Sequence, residues 1–182
     1  MSRRPSLFEA ALGARFEALA PALGRFHRLS GHHELHGAVE TDPPDSPIGR
    51  LLARCLGSPR QAASGAIRFE LDAAPDVETW TRHFPFRTMR SRMRLVDGQV
   101  VECMGPARLV FALEEVDGGL RLRLRSLRFL GIPCPAWLRP RLEAGETGDG
   151  DRLCFRIEAA VPGIGRVVGY RGHLVVPDET AA

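Results

Sequence analysis

From Ile67 almost to the C-terminus, apolar and charged residues swap at nearly every position, most plainly in Leu120-Arg121-Leu122-Arg123-Leu124-Arg125. Successive side chains of a strand point to opposite faces, so this pattern gives one apolar and one guanidinium face. It predicts a large antiparallel sheet with one buried and one wet side. It constrains architecture tightly and chemistry hardly at all.

Turn residues set the registers. Asp97-Gly98 predicts Leu95 opposite Val100, Met93 opposite Glu102 and Ser91 opposite Met104. Asp117-Gly118 predicts Leu113 opposite Leu122, Phe111 opposite Leu124, and Glu114 opposite Arg121 on the wet face. Asp149-Gly150 predicts Ala144 opposite Phe155, Leu142 opposite Ile157 and Glu146 opposite Leu153; Gly163-Ile164 predicts Ala159 opposite Val168, Ile157 opposite Tyr170 and Leu153 opposite Leu174. A slip of one residue would turn apolar residues to water in each hairpin. The apolar phase shifts between Leu124 and Leu127, which predicts a bulge near Arg125-Ser126.

Before the sheet, Ser6 and Glu9 form a capping-box pattern ahead of Phe8, Leu12, Phe16, Leu19 and Leu23, with a break or kink expected at Pro21. A strand is expected over Arg28 to Thr41. A second helix is framed by Ser46-Pro47 and Gly57, with Ile48, Leu51, Leu52, Cys55 and Leu56 as its apolar face. The chain of 182 residues is expected to form a single domain (residues 1–182). No apolar stretch approaches membrane-spanning length. The first residues imitate a leader, but Glu9, Arg15 and Glu17 interrupt it, and a cytoplasmic location is expected.

All 25 basic residues are Arg, and neither Lys nor Asn occurs. That excludes a Schiff-base lysine and a phosphate-loop lysine. The net charge of +3 is small, with arginines scattered among acids, so nucleic-acid binding is not indicated. Cys55, Cys103, Cys134 and Cys154 have no CxxC spacing and are expected to be buried free thiols. His27, His32, His33 and His36 cluster, but Gly31 and Gly37 bracket the His-Glu-Leu-His string and no third ligand is placed, so a loop or strand edge is expected and no metal site. His83 and His173 fall on outward faces. Gly163-x-Gly165 joins two strands and reads as a hairpin turn, not a dinucleotide loop. There is no GxSxG elbow, and no cofactor is implied.

The registers place four polar residues on the apolar face: Ser91, Glu102, Glu146 and Tyr170. A buried carboxylate costs several kcal/mol (order of magnitude) unless paired or wet. Arg82, on the face of Trp80 and Phe84, is the expected counter-ion. Trp80, Arg82, Ser91, Glu102, Glu146 and Tyr170 are therefore the ligand-binding candidates. They would be the polar contacts of an otherwise apolar concave pocket, or structural ion pairs, or an acid–base set.

Several of these positions recur in a wider pattern. Trp80-x-Arg82-x-Phe84, Met89-x-Ser91, Glu102 ahead of Gly105-Pro106, Pro133-x-Pro135-x-x-Leu138-x-Pro140, Glu146, Phe155, and Pro162-x-x-Gly165 leading to Tyr170-x-Gly172 together resemble the bacterial domain-of-unknown-function family 4166. The resemblance covers roughly Leu7 to Leu174. The family occurs alone or behind a saccharopine-dehydrogenase-like NAD(P)-binding domain, and this chain is similar to the lone form. The resemblance implies a bacterial source and a working relation to a redox enzyme, and supplies no catalytic residues.

The expected fold is α+β: a strongly curved antiparallel sheet of about seven to ten strands, half-barrel-like, wrapped around the two N-terminal helices. The leading functional expectation is a non-catalytic module binding an apolar or amphiphilic small molecule in the concave face. A module docking on an NAD(P)-dependent oxidoreductase, and an acid–base enzyme using the inward Glu residues, are the alternatives. No nucleic-acid partner and no membrane span are expected.

Overall fold

The computed structural model describes residues 4–74 and 76–177; the first residues of the leader-like stretch lie outside these. Among the described residues there are three α-helices, α1 (Leu7–Leu12), α2 (Pro21–Arg28) and α3 (Pro47–Leu56), with a 3-10 segment Gly13–Ala18 between the first two. The strands are β1 (Gly31–Thr41), β2 (Ala63–Ala74), β3 (Val77–Phe84), β4 (Arg87–Val96), β5 (Gln99–Met104), β6 (Ala107–Val116), β7 (Gly119–Phe129), β8 (Ile132–Pro133), β9 (Arg141–Asp149), β10 (Arg152–Val161) and β11 (Gly165–Val175).

All pairings are antiparallel, and the order is β6-β5-β4-β3-β2-β1-β11-β10-β9-β7-β8, with β6 also paired to β7. The expected half-barrel is therefore corrected to a closed barrel. Ten strands form the ring, and β8 hangs outside it on β7. Closure removes the two exposed edges that a half-barrel would leave. Its last joint is slight: β7 and β9 pair only at Leu120–Glu146 and Arg121–Gly145.

Three predicted hairpins keep their registers near the pairs named. Leu95–Val100 and Met93–Glu102 form, as do Leu113–Leu122, Phe111–Leu124 and Glu114–Arg121, and Ala159–Val168, Ile157–Tyr170 and Leu153–Leu174. Arg125 is the extra residue of the predicted bulge, since Val110 pairs with Ser126 and Phe111 with Leu124. The β9–β10 register is corrected. Its turn is Gly150-Asp151, so Phe155 pairs with Glu146 and Ile157 with Ala144. Partners move by two residues, which preserves the face, and Glu146 still points inward.

The Ser6–Glu9 capping box forms as expected. The first helix breaks earlier than predicted, at Gly13, and Pro21 starts α2 instead of ending α1. As a result α2 runs to Arg28, and the strand expected from there begins at Gly31. Leu7, Phe8, Leu12, Phe16, Leu23 and Phe26 join the barrel core, with α1 against β4, β5 and β6, and α2 against β9 and β10. These N-terminal helices plug one mouth, where the Ala20 N–H donates to the Gly118 carbonyl at 2.7 Å.

The other mouth is crossed by α3, from Arg166 on β11 to the turn at Gly105. Its buried face is Gly49 and Ala53, because a side chain at 49 would meet the Arg166 carbonyl. The predicted apolar face is corrected accordingly: Ile48, Leu51 and Cys55 are exposed. All four cysteines are free but none is buried, contrary to expectation, because each lies on an outward face or a surface loop.

Candidate functional site

Strand alternation sends Glu78, Trp80, Arg82 and Phe84 of β3 into the barrel together. Ser91 of β4 sits opposite Trp80, and Glu102 of β5 opposite Met93. Glu146 and Tyr170 project inward from β9 and β11. All six residues singled out in the sequence are buried.

Arg82 anchors one group. Its Nη1–H donates to Ser91 Oγ at 3.1 Å, and its guanidinium lies 5.0 Å from the Trp80 ring centroid and 5.7 Å from that of Phe69. Ring faces carry negative potential, so the cation is held largely by aromatic rings. The expected ion pair of Arg82 with Glu102 or Glu146 does not form: among the described residues no carboxylate pairs with this guanidinium, and the Glu102 carboxylate accepts no hydrogen bond. Tyr170 packs edge-on to Phe84 and Phe155, and burial pushes its phenol up.

Glu146 belongs to a second group, whose other members were not predicted. Its Oε2 lies 2.6 Å from Nε2 of His27, whose side chain is 0% exposed. With Glu146 ionised the carboxylate can only accept, and Nε2 is then the donor. Nδ1 of His27 is buried without a partner among the described residues. Glu78 Oε2 accepts from the Trp80 indole at 2.9 Å. Burial raises the Glu78 carboxyl, opposed by that hydrogen bond and by His27, and reinforced by Glu146. Phe8 covers the imidazole, with ring centroids 3.9 Å apart.

Both unpredicted members had a sequence signal. Glu78 lies two residues before Trp80 on the same strand face, and His27 four residues after Leu23 on the same helix face. The remaining clustered histidines lie on the stretch of β1 that pairs only with β2: His32 and His36 face outward, with His32 on Asp72 at 2.7 Å, whereas His33 shares the inward face with Leu35 at the strand's start and bonds the Ser30 carbonyl at 2.9 Å. No metal-binding group of three is found among the described residues.

The interior opens through the weak seam. Beyond their two paired positions β7 and β9 diverge, leaving a cleft of about 1090 Å³. Inward residues Leu122, Leu124, Leu142, Ala144 and Phe155 line it and are only half-buried, with Glu146 at its inner end. Outward residues Arg121, Arg123, Arg139 and Arg156 form its rim. A smaller depression, about 360 Å³, lies by Arg50, Arg60, Phe86 and Arg87, with Thr41 and Phe84 in its lining and none of the six candidates.

Residues 19–174 match the family model described as Domain of unknown function (DUF4166). The chain belongs to the DUF4166 family. No curated protein matches it. Among solved structures it is similar to the crystal structure of Rv2717c from M. tuberculosis, at 14% identity over 88% of this chain and 99% of that chain, with a TM-score of 0.46. That likeness carries nothing about function. In this DUF4166 domain no helix among the described residues is long and apolar enough to cross a membrane.

Proposed function

We propose that this DUF4166 barrel binds an apolar or amphiphilic small molecule, which enters between β7 and β9 and lies along the barrel interior. The carrying observation is the cleft itself. Both mouths are covered by helices, yet five inward apolar side chains remain half-open through a seam held by two residue pairs. Apolar surface left accessible inside a closed fold is the ordinary makeup of a small-molecule site. Of the six candidates only Glu146 lines the cleft; Trp80, Arg82, Ser91, Glu102 and Tyr170 are packed in the buried interior behind it. The arginine rim favours an anionic head left outside, since the interior carries Glu78, Glu102 and Glu146 against Arg82 and His27.

Native mass spectrometry tests this on protein purified without added ligand and again after incubation with dodecanoate. The expected result is a single adduct, released on denaturation. Clean protein mass in both samples would overturn the proposal.

Acid–base chemistry on the bound molecule is a second reading, favoured by the His27–Glu146 pair at the inner end of the cleft. It requires a turnover that Glu146→Gln abolishes without loss of binding.

A further inference from the structure

The segment joining β7 to β9, Leu130 to Leu138, carries three large apolar side chains turned to water: Leu130 is 72% exposed, Ile132 69% and Trp137 75%. Isolated exposed apolar residues are ordinary, but three within eight positions are a patch.

The first of them is held there at a conformational cost. The β7–β8 hairpin turns on Leu130-Gly131 with φ of 52° and 80°, the same left-handed pair as Asp97-Gly98 (50°, 73°) and Asp117-Gly118 (52°, 79°). That turn favours Asn or Asp before Gly, because a short polar side chain tolerates positive φ. Two hairpins of this chain obey the rule. The third places Leu at the strained position and points it at solvent. Neither backbone preference nor packing accounts for the choice, so the side chain itself is what the position requires.

Along the sequence on either side of this segment the charge is of one sign. Between Asp117 and Glu143 the sequence has six arginines, at 121, 123, 125, 128, 139 and 141, and no acidic residue. All six are exposed. Arg123 pairs with Glu114, and among the described residues Arg121, Arg125, Arg139 and Arg141 have no acidic partner. An exposed Trp and two aliphatic side chains within a basic field complement one kind of surface: anionic headgroups above hydrocarbon. An acidic polymer would use the arginines but give Leu130 and Ile132 nothing to enter.

We infer that the Leu130–Leu138 segment docks the domain on an anionic lipid bilayer, with Leu130, Ile132 and Trp137 inserted at the level of the headgroups and the arginines on the lipid phosphates. This goes beyond the ligand reading and stands without it. If both hold, the cleft, whose lining includes Arg139 just after this segment, faces the bilayer.

Co-sedimentation of the full chain with phosphatidylcholine vesicles, with and without phosphatidylglycerol, tests the inference in the absence of any soluble amphiphile. Binding is expected only with phosphatidylglycerol, and each Arg→Gln change at 128, 139 or 141 should weaken it about fivefold. On those vesicles the Trp137 emission should shift to the blue, and Trp137→Phe should remove the shift.

Leu130→Asn separates docking from folding. It suits the turn better, so the melting temperature should hold or rise while vesicle partition falls about tenfold. Trp137→Ser should give a similar loss. No binding to anionic vesicles would overturn the inference. So would binding that survives both apolar substitutions yet vanishes with salt, since that behaviour assigns the segment to an acidic polymer.

Discussion

At the scale of single residues, the interior is a problem of satisfied and unsatisfied polar atoms. His27 is wholly buried, and its Nε2 has one partner, Glu146. Glu146→Leu would leave an imidazole with neither nitrogen bonded, and should cost about 3 kcal/mol in urea unfolding. A loss below about 1 kcal/mol, typical of exposed pairs, would show that the pair is solvated. Glu78 makes a pH-dependent contribution of definite sign. Burial raises its folded carboxyl above the ordinary glutamate value. Its contribution is therefore fully present below the unfolded value and is lost as pH rises through the folded one. Gln resembles the protonated acid, so Glu78→Gln should change little in acid and become progressively stabilising toward neutral pH. Melting curves of both proteins across that range would check it, and a constant difference would contradict the assignment. The inward set of Ser91, Glu102, Glu146 and Tyr170 was legible because turn registers fix the face. Their partners were not, since the pairing of Glu146 with His27 joins residues 119 apart that no local pattern connects.

At the scale of elements, short-range chemistry was readable and long-range closure was not. Asp-Gly turns announced two hairpins, and a break in alternation announced the Arg125 bulge. The β9–β10 turn was misplaced by one residue because Asp149-Gly150-Asp151 offers two overlapping turn signals, and Gly150 takes the first turn position. The joints that close the ring, β1–β11 and β7–β9, have no hairpin turn to set them. At the first joint the strands approach closely. A Cβ at Gly172 would lie 2.1 Å from the Ala38 carbonyl and 2.9 Å from the Phe155 ring. Backbone cannot retreat as a flexible side chain can, so Gly172→Ala should cost about 2 kcal/mol or more in denaturant unfolding. The second joint should open locally. Hydrogen exchange is expected to be faster in β9 from Arg141 to Ala144 than in the doubly paired residues 37–41 of β1 and 68–73 of β2. Equal protection would mean the seam is as firm as the rest of the ring.

At the scale of the whole molecule, the alternation that begins at Ile67 yields a ring, not the open sheet expected from it. Ten strands bring first and last into reach, and their pairing closes the ring. The N-terminal helices and α3 cover the mouths, which leaves the β7–β9 seam as the way in. The most direct check is a calorimetric titration with dodecanoate of the wild-type domain and of Ala144→Trp, which fills the cleft from β9. Saturable binding by the wild type and its loss in the variant, with the fold intact by circular dichroism, is the expected result. Equal binding by both proteins would place the ligand elsewhere and contradict entry through the seam.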